Sequence, residues 1–178
     1  GIETIIALDI SNSMLAEDVA PSRLEKSKLL VENLMNKFSE DRIGLIVFAG
    51  DAFVQLPITS DYVSAKMFLD NINPSLIETQ GTDIGKALQL SMNSFTPNSK
   101  VGKAIILITD GEDNEGGAEE MAKQAQSKGI KVFILGIGSK EGATIPMPDG
   151  GLLKTSTGDV VKTHLNEEMC KQIADAGH

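Results

Sequence analysis

The sequence predicts an α/β fold: a Rossmann-like, doubly wound and mostly parallel sheet with one antiparallel edge strand and helices on both faces. Apolar runs of strand length alternate with segments of helical periodicity along most of the chain. Some of these runs, such as 104–108, are unbroken, which is typical of strands buried on both faces. Strands separated by helices require right-handed crossovers, and such crossovers produce a parallel sheet.

The first half of the chain supplies three strands and three helices in this prediction. The capping box Ser22-Arg23-Leu24-Glu25 opens the first helix, and Gly50-Asp51 marks a tight turn into a hairpin strand. Pro57 is expected to end that strand, since proline suits an edge position. The predicted strands cover 3–9, 43–48 and 52–56, and the helices begin near Pro21, near Ser60 or Asp61, and near Thr82. The second helix carries its apolar residues at Val63, Met67, Phe68 and Ile72.

The second half continues the alternation and then changes character. Gly129 is expected to end a helix as its C-terminal glycine. From Gly138 onward, prolines and Asp-Gly turns punctuate short apolar runs, so we expect a β-hairpin excursion near 143–163. The other predicted elements are a strand at 104–108, a helix at 117–128, a strand at 131–137 and a helix from about Asn166 to Ala176.

The composition describes an ordinary globular chain and limits the classes of partner. The 178 residues are 41% hydrophobic and only 4% aromatic, so we expect one domain with an aliphatic core. The formal net charge of −9 argues against a nucleic-acid partner, which requires clustered Lys and Arg. That charge fits a cation or a basic protein surface, or plain solubility. The sequence shows no apolar run near the ~18 residues of a membrane-spanning helix.

Polar side chains follow the ends of the first and fourth predicted strands, and another begins a helix. In open α/β sheets, ligands bind beyond the carboxyl ends of strands where the strand order reverses, so these side chains converge if the two strands are neighbours. Two carboxylates and three hydroxyls suit a hard cation such as Mg²⁺ (or Mn²⁺), with an open position for an external group. The candidate metal ligands are Asp9, Ser11, Ser13, Thr82 and Asp110.

Each candidate ligand also has an ordinary structural role available. Ser11 and Ser13 can form local turns, Thr82 can cap a helix, and Asp110 can begin an Asp-Gly turn. Taken singly, these roles are the more frequent ones. The metal hypothesis rests on all five residues together in this fold.

The chain resembles the von Willebrand factor A (VWA) domain in three motifs: Asp9-x-Ser11-x-Ser13, Gly81-Thr82-Asp83 and Thr109-Asp110-Gly111. The resemblance covers residues 1 to about 140 and the final helix. It implies a metal-ion-dependent adhesion site (MIDAS) in which Ser11, Ser13 and Thr82 are hydroxyl ligands. Asp9 and Asp110 would act directly or through water. The resemblance also implies that a carboxylate of a partner protein completes the coordination of the metal.

A narrower resemblance, to the bacterial Bat aerotolerance proteins of the BatA/BatB type, rests on the segments 13–18, 21–24, 41–45, 109–113 and 145–151. It implies a parent protein anchored in the bacterial inner membrane, with this domain in the periplasm. It also implies association with related Bat proteins and a functional link to a MoxR-type AAA+ ATPase. We therefore expect 1–178 to be a single VWA domain excised from a longer protein. Either the family's further strand after the last helix is missing or the hairpin region substitutes for it; we expect it to be missing, which would expose a sheet edge.

The predicted function is a metal-dependent protein-interaction module without catalysis of its own. One alternative is a metal-dependent phosphatase or phosphotransferase of the haloacid dehalogenase type. That chemistry needs a second Asp two residues after the first, where this chain has Ser11. The other alternative is a structural domain whose metal site is unused.

Several remaining residues are expected to have structural or surface positions. Cys170 is the single cysteine, which excludes an internal disulfide, and we expect it to be a small buried hydrophobe. Met14 should pack beneath the loop that carries Ser11 and Ser13, called the metal loop below. His164 and His178 have no Cys or His at ligand spacing and should lie on the surface. The acidic residues expected to form a solvated rim are Glu112, Asp113 and Glu115.

Overall fold

A mixed five-stranded sheet forms the centre of the computed structural model, which describes residues 1–98, 100–113 and 115–177. The strands are β1 (Ile2–Asp9), β2 (Arg42–Phe48), β3 (Ala52–Thr59), β4 (Gly102–Thr109) and β5 (Ile130–Gly136). Their order in the sheet is β3-β2-β1-β4-β5. All neighbours run parallel except β3, which pairs antiparallel with β2 at one edge. The predicted α/β fold with one antiparallel edge strand is confirmed.

Helices cover both faces of the sheet. They are α1 (Arg23–Lys37), α2 (Tyr62–Asp70), α3 (Ile84–Met92), α4 (Ala118–Ser127) and α5 (Glu167–Ala176), with short 3-10 helices at Asn12–Leu15 and Pro74–Leu76. One of the two hydrogen bonds of the predicted capping box is confirmed: the Ser22 hydroxyl accepts a hydrogen bond from the backbone amide of Glu25 at 3.1 Å. Side chains of Asp61, Asp83 and Asn166 cap α2, α3 and α5 in the same way.

Strand β1 divides the core into two halves because its side chains alternate between the two faces. Ile6 and Leu8 pack in a cluster with residues of α1 and α2. Ile5 and Ala7 pack in a second cluster with residues of α3, α4 and α5. The central strand is thus buried on both sides, and it ends at Asp9 at the carboxyl edge of the sheet.

The apolar face predicted for α2 was wrong at three of its four residues; the fourth, Ile72, is buried just beyond the end of the helix. Val63, Met67 and Phe68 are 74%, 61% and 43% exposed, whereas Ala65 and Leu69 are buried. Ala65 and Leu69 are four residues apart and share one side of the helix, and the small alanine lets the helix lie close to the sheet. The size and hydrophobicity of Val63, Met67 and Phe68 had predicted that the opposite side of α2 packs against the sheet.

The expected end of β3 at Pro57 was also wrong, because the strand continues to Thr59. Pro57 is exposed on this edge strand, where its missing N–H costs no bond to a neighbouring strand. The register with β2 shifts twice between Ile43 and Ile46, which accommodates the irregularity.

The region after β5 forms the expected β-hairpin excursion. Its paired strands are β6 (Ala143–Thr144) and β7 (Lys162–Thr163), and isolated bridges join Pro146 to Leu152 and Lys154 to Val160. Below, "the excursion" means residues 143–163.

The last described helix returns to the edge of the sheet. The carbonyl oxygen of Gly177 accepts the backbone amide of Val132 in edge strand β5 at 3.3 Å. The expected loss of the family's further strand after α5 stays a prediction, and His178 lies outside the described residues. Within the described ranges, no helix has the length and apolar character needed to cross a membrane.

Candidate metal centre

Parallel pairing of β1 with β4 brings Asp9 and Asp110 to the same edge of the sheet. Leu8 is in register with Ile108, so the residues that follow leave the sheet together. The hydroxyl of Thr109 donates a hydrogen bond to Oδ2 of Asp9 at 2.7 Å, and it also accepts a hydrogen bond from the backbone amide of Gly111. Both carboxylates are fully buried. The order of the strands reverses between β1 and β4, which is where open α/β sheets bind ligands.

The two serines connect these carboxylates. Oγ of Ser11 donates to Oδ1 of Asp9 at 2.6 Å, and Oγ of Ser13 donates to Oδ2 of Asp110 at 2.5 Å. The two hydroxyl oxygens lie 3.1 Å apart. The 3-10 helix at Asn12–Leu15 turns the chain here, with Met14 fully buried beneath it, as expected. Four of the five candidate ligands therefore lie together as two hydrogen-bonded Ser–Asp pairs whose hydroxyl oxygens are neighbours.

Thr82 reaches this edge from a different loop. The residue is 3% exposed and follows Gly81, whose φ of 95° lies in the left-handed region. The loop is tied to its surroundings by two bonds: Nδ2 of Asn12 donates to Oε1 of Gln80 at 2.6 Å, and the amide of Asp83 donates to the carbonyl of Ala49 at 2.7 Å. The backbone next to Thr82 is thus fixed against the metal loop and the end of β2.

The electrostatics of the site favour an added positive charge. Burial, and after it the charge of Asp110, raises the pKa of Asp9 to about 7, although hydrogen bonds from Ser11 and Thr109 oppose this rise. Burial also raises the pKa of Asp110, although hydrogen bonds from Ser13 and from the amide of Glu112 oppose this. A cation near both carboxylates would favour their ionised forms.

The comparison with known families agrees with this architecture. The von Willebrand factor type A domain model matches residues 4–149. The chain belongs to the VWA family. Among curated relatives of this VWA domain, an uncharacterized protein from Borreliella burgdorferi is 33% identical over 144 residues, which are 79% of this chain and 42% of that protein. The chain therefore spans less than half the length of that relative.

Two solved structures are similar to this VWA domain over almost its whole length. The conserved hypothetical protein BatB from Bacteroides thetaiotaomicron is 60% identical with a TM-score of 0.97, and the match covers 99% of this chain and 87% of that one. An aerotolerance-related membrane protein from Bacteroides fragilis NCTC 9343 is 57% identical with a TM-score of 0.97, covering 99% and 88%. The resemblance to Bat proteins is confirmed.

The donor set of this VWA domain fits a small divalent cation. Two oxygens at adjacent corners of a Mg²⁺ octahedron, with Mg–O distances of about 2.0–2.1 Å, lie about 2.9 Å apart. The hydroxyl oxygens of Ser11 and Ser13 are 3.1 Å apart. Because each hydroxyl already donates its hydrogen to a carboxylate, its lone pairs remain for a metal. No group of three His, Cys, Asp or Glu side chains in the described part of the chain could hold a metal, so a metal at this edge would need hydroxyl ligands as well.

A groove of about 610 Å³ lies beside these residues. Asn12 and Gln80, which are hydrogen-bonded to each other, form part of its wall. The rest of the lining includes Leu15, Ile77 and, from the excursion, Met147. A partner segment approaching the metal loop would meet this mainly apolar groove.

Arg23 is a buried cation next to the site that no sequence pattern revealed. Its side chain is fully buried and donates from Nη1 to Oδ2 of Asp110 at 3.1 Å. Arg23 stands in the capping box of α1, a position that usually faces solvent, so the pattern gave no sign of burial. Its sequence signal was confined to the segment 21–24, which resembles Bat proteins.

The predicted acidic rim is only partly solvated. Asp113 is half-buried, and its Oδ1 accepts the amides of Ile84 and Glu115 at 3.5 and 3.4 Å. Burial raises the pKa of Asp113. Asp113 therefore packs against the start of α3, and the prediction of a solvated position was wrong for this residue. Oε1 of Glu112 accepts the backbone amide of His164, whose side chain is exposed as expected.

The prediction for Cys170 is confirmed, because the residue is 8% exposed on α5. Burial raises the pKa of its thiol to about 11, so the thiol stays protonated and unreactive near neutral pH. If Gly111 carried a Cβ, that atom would lie 2.9 Å from Sγ of Cys170. Cys170 therefore packs directly beneath the loop that follows β4.

Proposed function

We propose that this VWA domain is a metal-dependent protein-interaction module. Ser11, Ser13 and Thr82 would hold Mg²⁺ (or Mn²⁺) through their hydroxyl oxygens, and Asp9 and Asp110 would act directly or through water. The observation that carries the proposal is the pair of serine hydroxyls, 3.1 Å apart, that each donate to a buried carboxylate. When bound, the metal would supply an open coordination position for a carboxylate of a partner protein.

The proposed partner is a protein that presents an acidic side chain. The chain has a formal net charge of −9, so an acidic partner would be repelled in the absence of the cation. Partner binding should therefore depend strictly on the metal. The apolar groove beside the metal loop would accommodate residues that flank the acidic one.

The cellular setting is proposed from the relatives. The similar protein from Bacteroides fragilis is described as an aerotolerance-related membrane protein. By analogy, we propose a parent protein anchored in the inner membrane, with residues 1–178 as a single VWA domain in the periplasm. Related Bat proteins and a MoxR-type AAA+ ATPase are the proposed associates of the parent protein.

The proposal assigns no catalysis to the site. A phosphatase of the haloacid dehalogenase type needs an acidic side chain two residues after the nucleophile. In this structure that position is Ser11, whose hydroxyl and backbone amide both donate to Oδ1 of Asp9. Turnover of a phosphoester by the wild type, lost in Asp9→Asn, would contradict this assignment.

Calorimetric titration with Mg²⁺ tests the metal site. The wild type should release or absorb binding heat, and Asp9→Ala should show only the heat of dilution. Asp175→Ala is a matched control, since Asp175 is an exposed residue on α5 away from the candidate site. Equal heats from wild type and Asp9→Ala would rule out the proposed centre.

Partner binding is tested by pull-down from membranes of the source cell. Proteins retained in Mg²⁺ and released by EDTA are expected with the wild type, and none of these should be retained by Asp9→Ala. A partner that remains bound in EDTA would show an ordinary protein contact and would contradict metal bridging.

A further inference from the structure

Arg23 lies fully buried at the start of α1 and holds two carboxylates at once. Its Nε and Nη2 donate to the two oxygens of Asp18 at 2.9 and 2.8 Å. Its Nη1 donates to Oδ2 of Asp110 at 3.1 Å, and this is the same oxygen that accepts the hydroxyl of Ser13. The guanidinium and the Ser13 hydroxyl therefore share one acceptor.

Arg23 also donates from Nη1 to the carbonyl oxygen of Ser13 at 3.5 Å, and further contacts come from the excursion and the residues before it. Nη1 also donates to Oγ1 of Thr163 at 3.0 Å, and Nη2 donates to the carbonyl oxygen of Thr163 at 3.3 Å. Gly138 packs against the guanidinium, since a Cβ there would lie 3.0 Å from Cζ of Arg23. The amide and hydroxyl of Ser139 donate to Asp18 at 2.8 and 2.9 Å. Arg23 thus joins β7 to the loop that follows β4.

We infer that Arg23 is a positioning residue of the metal centre, through which the excursion holds the Asp110 carboxylate and, with it, the Ser13 hydroxyl. The inference rests on the proposed metal function. Arg23 does not contact the metal in this scheme. It fixes Oδ2 of Asp110, which accepts the hydrogen of the Ser13 hydroxyl. The lone pairs of that hydroxyl then remain directed toward the metal position.

The planar fork of the guanidinium is what makes this possible. Arg23 reaches Asp18, Asp110 and Thr163 with three nitrogens in fixed directions. A lysine ammonium carries the same charge, but as a single point that cannot serve three partners spread around a plane. Mutation of groups that orient metal ligands from behind typically lowers metal affinity by about 10–100-fold.

Two variants test whether Mg²⁺ affinity depends on the geometry of the Arg23 hydrogen bonds or only on the charge of Arg23. Arg23→Lys keeps the charge, and we expect its Mg²⁺ dissociation constant, measured by calorimetry, to rise roughly tenfold or more. Thr163→Val keeps both charge and shape at a buried position that touches Arg23, and a rise of roughly fivefold is expected, equivalent to one lost hydrogen bond. Thr157→Val is the control, because Thr157 is exposed in the same excursion and bonds to Thr155 and Asp159.

The inference is overturned if wild type, Arg23→Lys and Thr163→Val bind Mg²⁺ with equal affinity. Circular dichroism and thermal unfolding establish that each variant is folded before titration. A loss of affinity in Thr157→Val equal to that in Thr163→Val would also contradict the inference, since it would show a general effect of the excursion.

Hydrogen exchange on the metal-free protein gives a readout that does not depend on metal binding. The amide of Glu112 bonds to Oδ1 of Asp110 at 3.0 Å, and the amide of Leu165 bonds to the carbonyl of Ser139 at 2.9 Å. In Arg23→Lys both amides should exchange faster together, and unchanged exchange at either one overturns the linking role. If the wild type binds no Mg²⁺, the proposed function fails, while the exchange result still decides whether Arg23 links the two segments.

Discussion

The hydroxyl of Thr109 donates to Oδ2 of Asp9 at 2.7 Å and so fixes one carboxylate of the candidate centre from the neighbouring strand. This bond stabilises the charged form of Asp9 and holds its pKa below the value that burial alone would produce. A metal requires that charged form. Thr109 therefore supports the site although the sequence analysis assigned it no role.

Thr109→Val should weaken Mg²⁺ binding near neutral pH. Thr109 is fully buried and valine has the same shape, so the change creates no cavity but removes two hydrogen bonds, the one to Asp9 and the one from the amide of Gly111. With the bond to Asp9 gone, the pKa of Asp9 rises above about 7, and we expect roughly tenfold weaker binding at pH 7. Calorimetry at pH 7 and pH 9 checks this. The deficit should shrink at pH 9, and a deficit independent of pH would contradict the explanation.

The metal-free protein should lose stability as pH rises toward neutrality. The folded pKa of Asp9 is raised to about 7 from 3.8, so the unfolded chain gives up this proton first. The free energy of unfolding should therefore fall between about pH 4 and pH 7 as far as Asp9 is concerned. Urea unfolding across this range measures the effect, and Mg²⁺ should restore stability above pH 7.

Asp9→Asn supplies the control for that pH dependence. The amide cannot ionise, so the variant should lack the Asp9 contribution to the pH profile. At pH 8 without metal it should be more stable than the wild type by roughly 1–4 kcal/mol, since each pKa unit corresponds to about 1.4 kcal/mol. A metal-free variant less stable than the wild type at pH 8 would show that burial of the Asp9 charge carries no cost.

Most of the fold could be predicted from local patterns, because hydrophobic periodicity and capping residues act over short stretches of chain. The unbroken run at 104–108 and the capping box at Ser22 each appear in the structure as expected. The convergence of Asp9 with Asp110 required only the guess that their strands are neighbours, which the sheet order confirms. Whether the five residues bind a metal stays a prediction.

The features that the sequence did not reveal depend on tertiary packing. Arg23 is buried because Asp18, Asp110 and Thr163 surround it, and these partners are up to 140 residues away along the chain. Asp113 turns inward because the amide of Ile84, in another segment, donates a hydrogen bond to its Oδ1. No pattern within a single element contains such information.

Asp18→Asn should destabilise the domain through Arg23. The Arg23 guanidinium holds the pKa of Asp18 down at about 2, with further help from Ser139. This contribution to stability is complete above about pH 4 and disappears as pH falls through about 2. At pH 7 we expect a loss of about 2–4 kcal/mol, because the asparagine leaves a buried guanidinium short of a charge partner. Urea unfolding at pH 7 measures it, and a loss below about 0.5 kcal/mol would contradict the role assigned to this pair.

Gly111→Ala should be severely destabilising, because two separate effects act at this position. Its φ of 80° is unfavourable for any residue with a Cβ, and that Cβ would lie 2.5 Å from the carbonyl oxygen of Asn166. The strain alone costs about 1–2 kcal/mol. Gly129→Ala isolates the strain, since Gly129 has a φ of 76° and open space around the site of a Cβ. Thermal unfolding should show a clearly larger loss for Gly111→Ala, and equal losses would mean that the loop yields to the added methyl group.

The exposed side of α2 should tolerate polar substitution. Val63 is 74% exposed, so Val63→Lys should change the free energy of unfolding by no more than about 0.5 kcal/mol. Leu69 on the opposite side is 1% exposed, and Leu69→Ala should cost about 2–5 kcal/mol through lost contacts and the cavity left behind. Urea unfolding of the two variants measures the contrast. If Val63→Lys proved the more damaging, α2 would pack on the side that its bulkier residues originally suggested, and the small residue Ala65 would face solvent.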